Sequence, residues 1–198
     1  MTFYKKNGKK YKPSSEDEAK MVCSTLENSN FYVKQVKRAV MKSHAPAPFI
    51  TSTLQQDGSI RLNLTAPQVM QVAQRLYEGV ETPRGHIALI TYMRTDSVRV
   101  SSEAQKSALD YIRKNYGEDY VPEKPNIYRS KKDAQDAHEA IRPSNVELTP
   151  EKIKGDLTNE QYRLYRLIWS RFLACQMANA VYDSVAVEIE AGSHSFRA

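Results

Sequence analysis

The 198-residue sequence predicts an α+β fold in which a mainly helical domain is inserted into a β-containing one, with strands at both chain ends. Two observations carry that expectation and a third places the seam. Capped segments with helical periodicity fill the middle of the chain, whereas β-branched or alternating runs lie near both ends. Between the first of those runs and the helices stands Ala45-Pro46-Ala47-Pro48, where two prolines stiffen the backbone and remove amide donors. The expected organisation is residues 1–48 as the first part of the β-containing domain, 49–180 as the helical domain, and 181–198 as a returning, truncated strand. Two end strands form a poor sheet alone. The chain therefore reads as the middle piece of a larger protein.

Each element has its own justification. Asn7-Gly8, inside Lys5-Lys6-Asn7-Gly8-Lys9-Lys10, is a hairpin-turn signal. Ser15-Glu16-Asp17-Glu18 has the capping-box pattern and opens a helix to about residue 28, with Ala19, Val22, Cys23 and Leu26 inward. Residues 31–41 are rich in β-branched and aromatic side chains and read as a strand. A helix is expected over 52–62, weakened at Gly58 by on the order of 1 kcal/mol relative to Ala. The next helix is better marked, with Thr65 as cap, Pro67 in the first turn, Gln68 closing the box and Gly79 past the end. Ile87-Ala88-Leu89-Ile90 reads as a short buried strand. Ser101 or Ser102 caps a helix ending near Gly117, and a proline-bearing loop covers 118–132. Thr158-Asn159-Glu160-Gln161 opens the longest helix, to about residue 179. Its stripe of Leu164, Ile168, Phe172 and Cys175, joined by Tyr165 and Trp169, is core. Val185, Val187 and Ile189 then alternate with Glu188 and Glu190, which is a strand.

Composition narrows the function classes. The net charge is +6, and residues 1–48 alone hold ten Lys/Arg against four Asp/Glu, so the whole basic excess is N-terminal. A lysine cluster at a turn is usually a solvated face, although it adds a salt-sensitive attraction to phosphates. Cys23 and Cys175 are the only cysteines, both expected on apolar helix faces, and without a CxxC they argue against zinc. No signal peptide or membrane-length apolar run occurs, which fits a cytoplasmic protein that does not enter membranes.

The chemistry concentrates in Ile90-Thr91-Tyr92-Met93-Arg94-Thr95-Asp96-Ser97. On an extended segment, side chains two apart leave the same face, so Tyr92 and Arg94 project together while Thr91 and Met93 turn away. A guanidinium holds phosphate oxygens through paired hydrogen bonds and offsets charge on a forming phenolate, which suits attack of a tyrosine on phosphorus. A bare Tyr-x-Arg is more often an exposed strand end. The longer string outweighs that reading.

The string resembles the active-site segment of type IA DNA topoisomerases, most closely the bacterial topoisomerase I branch. Pro48-Phe49-Ile50-Thr51-Ser52-Thr53-Leu54-Gln55-Gln56 is similar to the segment that opens the family's tyrosine-bearing domain, and Ala73-Gln74-Arg75-Leu76-Tyr77-Glu78-Gly79 to the helix after it. Asp136-Ala137-His138-Glu139-Ala140-Ile141-Arg142-Pro143-Ser144 resembles its histidine motif. The resemblance implies a tyrosine domain inserted in an arch-forming β domain. It implies Tyr92 as the nucleophile that becomes linked to a 5′ phosphate of one DNA strand, followed by strand passage and resealing without ATP. A free phenol is only about one part in a thousand ionised at neutral pH, so Arg94 is expected to assist. The family's Mg²⁺ site lies in a separate Toprim domain with an Asp-x-Asp-x-Glu run; this sequence has none, and Glu16-Asp17-Glu18 suits a helix start instead. The expected partners are the single-stranded segment of negatively supercoiled DNA and the missing domains of a monomeric parent. His138 is expected to donate to a phosphate, and, four residues on, Arg142 to share its face of a short helix ended by Pro143. Arg142 either touches DNA or braces the loop through Glu139 or Asp136. Asp96 either orients Arg94 or belongs to a turn with Thr95 and Ser97.

Two rivals remain at this level. A non-catalytic helix-turn-helix module would use Gln68, Gln71, Gln74 and Arg75 to read bases. A tyrosine recombinase would place its tyrosine after the Arg and His residues, whereas Tyr92 precedes His138 and Arg142.

Overall fold

The computed structural model describes residues 1–83, 85–128 and 138–198. Its elements run β1 (Thr2–Lys6), β2 (Lys9–Lys10), α1 (Glu16–Glu27), β3 (Tyr32–Ser43), α2 (Thr51–Leu62), α3 (Ala66–Glu78), β4 (Val80–Thr82), β5 (Gly85–Ile87), α4 (Ser102–Tyr116), α5 (Pro150–Ile153), α6 (Asn159–Gln176), β6 (Ala180–Ala191) and β7 (His194–Arg197). Among the described residues this is a mixed α+β fold with six α-helices and one five-strand sheet that takes in strands from both ends of the chain. The chain forms two compact units, Met1–Ser43 with Val181–Ala198, and His44–Ala180.

The first unit is the sheet, in the order β2-β1-β7-β6-β3, with α1. Asn7 (φ 50°) and Gly8 (φ 76°) take the left-handed conformations that a tight two-residue hairpin demands, joining β1 to β2. Phe3 pairs with Phe196 and Phe196 with Ile189, which stacks an aromatic cluster of Phe3, Phe31, Phe196 and His194 with centroids 5.5–5.6 Å apart. The Ser15 hydroxyl accepts from the Glu18 amide at 3.2 Å and starts α1, but the capping box stays open. The Glu18 carboxylate instead takes the Ser14 amide at 2.8 Å. Cys23 is exposed rather than inward: burial of α1 centres on Val22, and the next residue is rotated by about 100°. The period-two pattern of β6 is also only partly buried. Val185 stays 48 % exposed, and shielding becomes continuous only from Val187, whose backbone pairs with Ala198 just past β7.

The second unit is a helical assembly around α6, whose six stripe residues are all buried. The Tyr165 hydroxyl donates to the Leu148 carbonyl at 2.6 Å, and the Trp169 indole donates to that of Val146 at 3.0 Å. Both polar groups are therefore satisfied inside the core, and burial raises the Tyr165 hydroxyl well above its ordinary range. The boxes at Thr65–Gln68 and Thr158–Gln161 are both closed, and Ser101, not Ser102, caps α4. Helix α6 stops at Gln176, short of the expected end. Asn126 donates to the carbonyls of Cys175 and Met177, and the Ala178 amide donates to Tyr120, so the 118–128 connection satisfies the groups another helical turn would have used. The same packing pushes the Tyr128 hydroxyl up to about 12.

Two expectations are corrected here. The run 87–90 is not a strand throughout: Ile87 closes a β4–β5 hairpin, and Leu89 and Ile90 continue as a buried segment with one bridge, Ile90 to Pro143. Gly58 is not a weak point either. It is buried, and a Cβ there would lie 2.6 Å from the Val69 Cγ2, so the glycine lets α2 and α3 pack closely. Overpacking costs about 1–3 kcal/mol, against a helix-propensity gain of about 1 kcal/mol. Gly58→Ala is therefore expected to lower stability by about 1 kcal/mol, read as a lower urea midpoint. No helix among the described residues is long and apolar enough to cross a membrane.

Candidate active site

Two threonines hold the 90–97 segment from either side. The Thr91 amide donates to the Arg142 carbonyl at 2.9 Å, its hydroxyl donates to the Ala140 carbonyl at 2.7 Å, and the Arg142 amide donates back to that hydroxyl at 2.9 Å. The hydroxyl of Thr51, in the first turn of α2, donates to the Met93 carbonyl at 2.7 Å and accepts from the Thr95 amide at 2.9 Å. The Thr51 amide donates to the Thr95 carbonyl at 2.9 Å. Fixed this way, the segment alternates: Met93, Thr95 and Ser97 are buried, whereas Tyr92, Arg94 and Asp96 face out. Thr95 and Ser97 act structurally, each hydroxyl accepting the amide two residues on, at 3.0 and 3.2 Å.

The Tyr92 ring is 39 % exposed. The Tyr77 ring of α3 meets it edge-on at 5.4 Å, and the His138 ring lies at 6.0 Å, tilted by 33°. Among the described residues the Tyr92 hydroxyl has no hydrogen-bond partner, and Arg94 and Asp96 form no ion pair. An open groove of about 600 Å³ runs beside it, lined by Ser52, Gln55, Arg94, Asp96 and His138. Its donor set is cationic and neutral, with a single carboxylate. That suits an anionic ligand such as a phosphodiester. It does not fit Mg²⁺, which needs clustered carboxylate and other oxygen ligands, and among the described residues no group of three or more His, Cys, Asp or Glu could hold a metal.

His138 and Arg142 do not share a helix face. Residues 138–143 are extended, because cross-chain partners replace local ones: the amides of Ala140 and Ile141 donate to Arg99 and Phe49 at 2.8 Å each, and Pro143 has no amide to give. Arg142 turns away from the groove to an ion pair with Glu139 at 2.7 Å and a hydrogen bond to the Pro143 carbonyl at 3.0 Å. It lines a separate cavity of about 370 Å³ with Ser101 and Ser144. Asp136, its other expected partner, lies outside the described residues. Thr51, whose polarity at a helix start suggests a capping or packing role, is a clamp on the tyrosine segment, and the sequence gives Tyr77 no role of its own. Tyr77 sits at the edge of the buried face of α3, where no periodicity distinguishes it.

A family model described as DNA topoisomerase matches residues 1–198. The chain belongs to this family. Within it, the similarity is to the type IA, bacterial topoisomerase I group of enzymes. DNA topoisomerase 1 of Rickettsia prowazekii is 44% identical over 191 residues, covering 96% of this chain and 25% of that protein. The Haemophilus influenzae enzyme is 44% identical over 198 residues, covering 100% of this chain and 22% of its own length. A full-length topoisomerase I from Thermotoga maritima superposes with a TM-score of 0.79 at 40% identity, covering 96% of this chain and 30% of that one. The chain spans about a quarter of the length of the curated relatives it matches. The residues a recognition helix would present are partly engaged here: Gln68 closes the α3 cap and Gln74 donates to Glu78 at 2.6 Å.

Proposed function

We propose that this chain is the tyrosine-bearing portion of an ATP-independent enzyme that breaks and reseals one strand of DNA to relax negative supercoils. The Tyr92 phenolic oxygen attacks phosphorus and loses its proton, the 3′ oxygen of the neighbouring nucleotide leaves and takes one up, and a 5′-phosphotyrosine link remains. After strand passage the freed 3′ hydroxyl attacks the same phosphorus and releases Tyr92. One phosphoester replaces another at each step, so no nucleotide hydrolysis is required. Arg94 and His138 hold phosphate oxygens in the groove and offset the charge that builds there. Arg142 braces the extended 138–143 segment through Glu139 and contacts DNA only secondarily.

In this reading residues 1–48 and 181–198 belong to an arch-forming β domain and 49–180 to the tyrosine domain. Mg²⁺, which supplies electrostatic stabilisation of the phosphoryl group, is held by acidic residues of a separate Toprim domain, because the groove beside Tyr92 does not fit it. The parent is a cytoplasmic monomer acting on single-stranded segments of negatively supercoiled DNA. The observation that supports this most is the exposed Tyr92, whose hydroxyl has no hydrogen-bond partner among the described residues and whose ring lies 6.0 Å from that of His138, which lines one open groove together with Arg94. The 198-residue chain by itself is expected to give no measurable relaxation of a supercoiled plasmid with Mg²⁺. Polarity tests the mechanism. When a full-length enzyme carrying this segment is denatured during turnover on end-labelled single-stranded DNA, protein-bound label is expected only from strands labelled at the 3′ end. Retention of 5′ label instead would mean a 3′-phosphate link and a different enzyme class.

A further inference from the structure

The backbone of Tyr92 is fixed more firmly than its side chain. Thr91 and Thr51 clamp the main chain from either side, but a tyrosine keeps two torsions of its own, with three staggered wells at the first and a broad second one. A change of well at the first torsion carries the phenolic oxygen through several ångström. Attack needs the reacting atoms about 3–3.5 Å apart and aligned. Among the described residues the Tyr92 hydroxyl has no hydrogen-bond partner to hold it there. The ring contacts that remain are with Tyr77 and His138.

Tyr77 is the better anchored of the two for this purpose. Its ring meets that of Tyr92 at 5.4 Å and 67°, the edge-on arrangement that aromatic pairs favour. It stands in the last turn of α3, and both of its neighbours are tied to the chain that leads into the tyrosine segment. The Leu76 carbonyl accepts from the Leu89 amide at 2.8 Å, and the Glu78 carbonyl accepts from the His86 Nε2 at 2.9 Å. Leu76 and Leu89 are both buried. The Tyr77 ring and the Tyr92 backbone therefore belong to one packed body. The Tyr77 hydroxyl forms no hydrogen bond among the described residues, so its ring is what the site uses. His138, by contrast, is committed to phosphate oxygens in the reading above.

We propose that Tyr77 is a positioning residue, whose ring confines that of Tyr92 to one orientation before attack. The inference rests on Tyr92 being the nucleophile. The confinement acts in one direction of the reaction only. Before cleavage the Tyr92 side chain is tethered at its Cα alone, and without Tyr77 it samples further wells. Once the phosphotyrosine link exists, the ring is held at both ends, by backbone and by DNA, so resealing does not need Tyr77. In a full-length enzyme carrying this segment, Tyr77→Ala is expected to slow single-turnover cleavage of an end-labelled single-stranded oligonucleotide by about three- to tenfold, the factor by which accessible wells increase. The fraction of DNA in the adduct falls by the same factor. The resealing rate, measured from preformed adduct with excess 3′-hydroxyl strand, stays at the parent value, as does the affinity for the uncut oligonucleotide. Tyr77→Phe keeps the ring and restores parent cleavage.

Tyr77 is 38 % exposed, so cutting it back opens no deep cavity; if the Ala variant nevertheless unfolds, Tyr77→Leu carries the comparison and is expected to show the same one-sided loss. Four results overturn the proposal. Cleavage at the parent rate would mean that the ring confines nothing. Equal slowing of cleavage and resealing would place Tyr77 on the reacting phosphate. The same loss in Tyr77→Phe would assign the effect to the hydroxyl. Weaker oligonucleotide binding with parent cleavage at saturation would make Tyr77 a DNA contact. Each of these leaves the parent adduct at Tyr92 in place and the proposed function standing, whereas a parent enzyme that forms no adduct there would overturn both.

Discussion

Tyr92→Phe is expected to abolish the covalent protein–DNA adduct in a full-length enzyme carrying this segment, while leaving the fold intact. The two consequences separate because of where the hydroxyl stands. It is exposed and bonded to nothing among the described residues, so its removal leaves no orphaned donor or acceptor, and the ring keeps its contacts with Tyr77 and His138. Surface changes of that kind stay within about 0.5 kcal/mol. The chemistry has no such tolerance, since phenylalanine has no oxygen with which to attack phosphorus. Denaturing electrophoresis of labelled DNA after a detergent quench reads the first consequence, and a urea melt reads the second. An unfolded variant, or one that still forms the adduct, would each contradict this account.

Phe49→Ala is expected to have the largest effect on stability, about 3–5 kcal/mol, against a typical total of about 5–15 kcal/mol for a domain. Phe49 is 0 % exposed. The Arg171 guanidinium carbon sits 4.4 Å above its ring and pairs with Asp57 of α2 at 2.8 Å. Its carbonyl takes the Ile141 amide at 2.8 Å, and two residues later Thr51 begins the clamp on Met93 and Thr95. The ring is therefore the common support of α2, the extended 138–143 segment and the tyrosine segment. Truncation leaves a void beneath a charged group whose side chain is only 16 % exposed. A large drop in the urea midpoint is the expected reading, and Phe49→Leu, which refills part of the volume, is expected to recover much of it.

How far the sequence revealed this arrangement depended on whether a feature is local. Capping patterns such as Thr65–Gln68 and Thr158–Gln161 are complete within four residues, and both formed. The outward pair Tyr92 and Arg94 followed from strand parity, and it survives although 91–97 is a bent segment held by threonines rather than a regular strand. What could not be read depends on partners far along the chain. The 138–143 segment is extended because Phe49, Thr91 and Arg99 supply its backbone partners, none of which is visible from His138 and Arg142 at helical spacing. Gly58 looked like a defect by propensity, and only Val69 of the next helix gives its missing side chain a purpose. The lysine cluster looked like a solvated turn, and only the ladder register showed that its charges face each other in pairs.

The central claim is that the oxygen of Tyr92 carries the DNA. A full-length enzyme carrying this segment, trapped on single-stranded DNA, digested with protease and nuclease and sequenced by mass spectrometry, tests that most directly. The expected result is a single nucleotide-bearing peptide containing Ile90-Thr91-Tyr92-Met93-Arg94, with the phosphate on Tyr92. A nucleotide on Tyr77, on His138 or on any other side chain would contradict it.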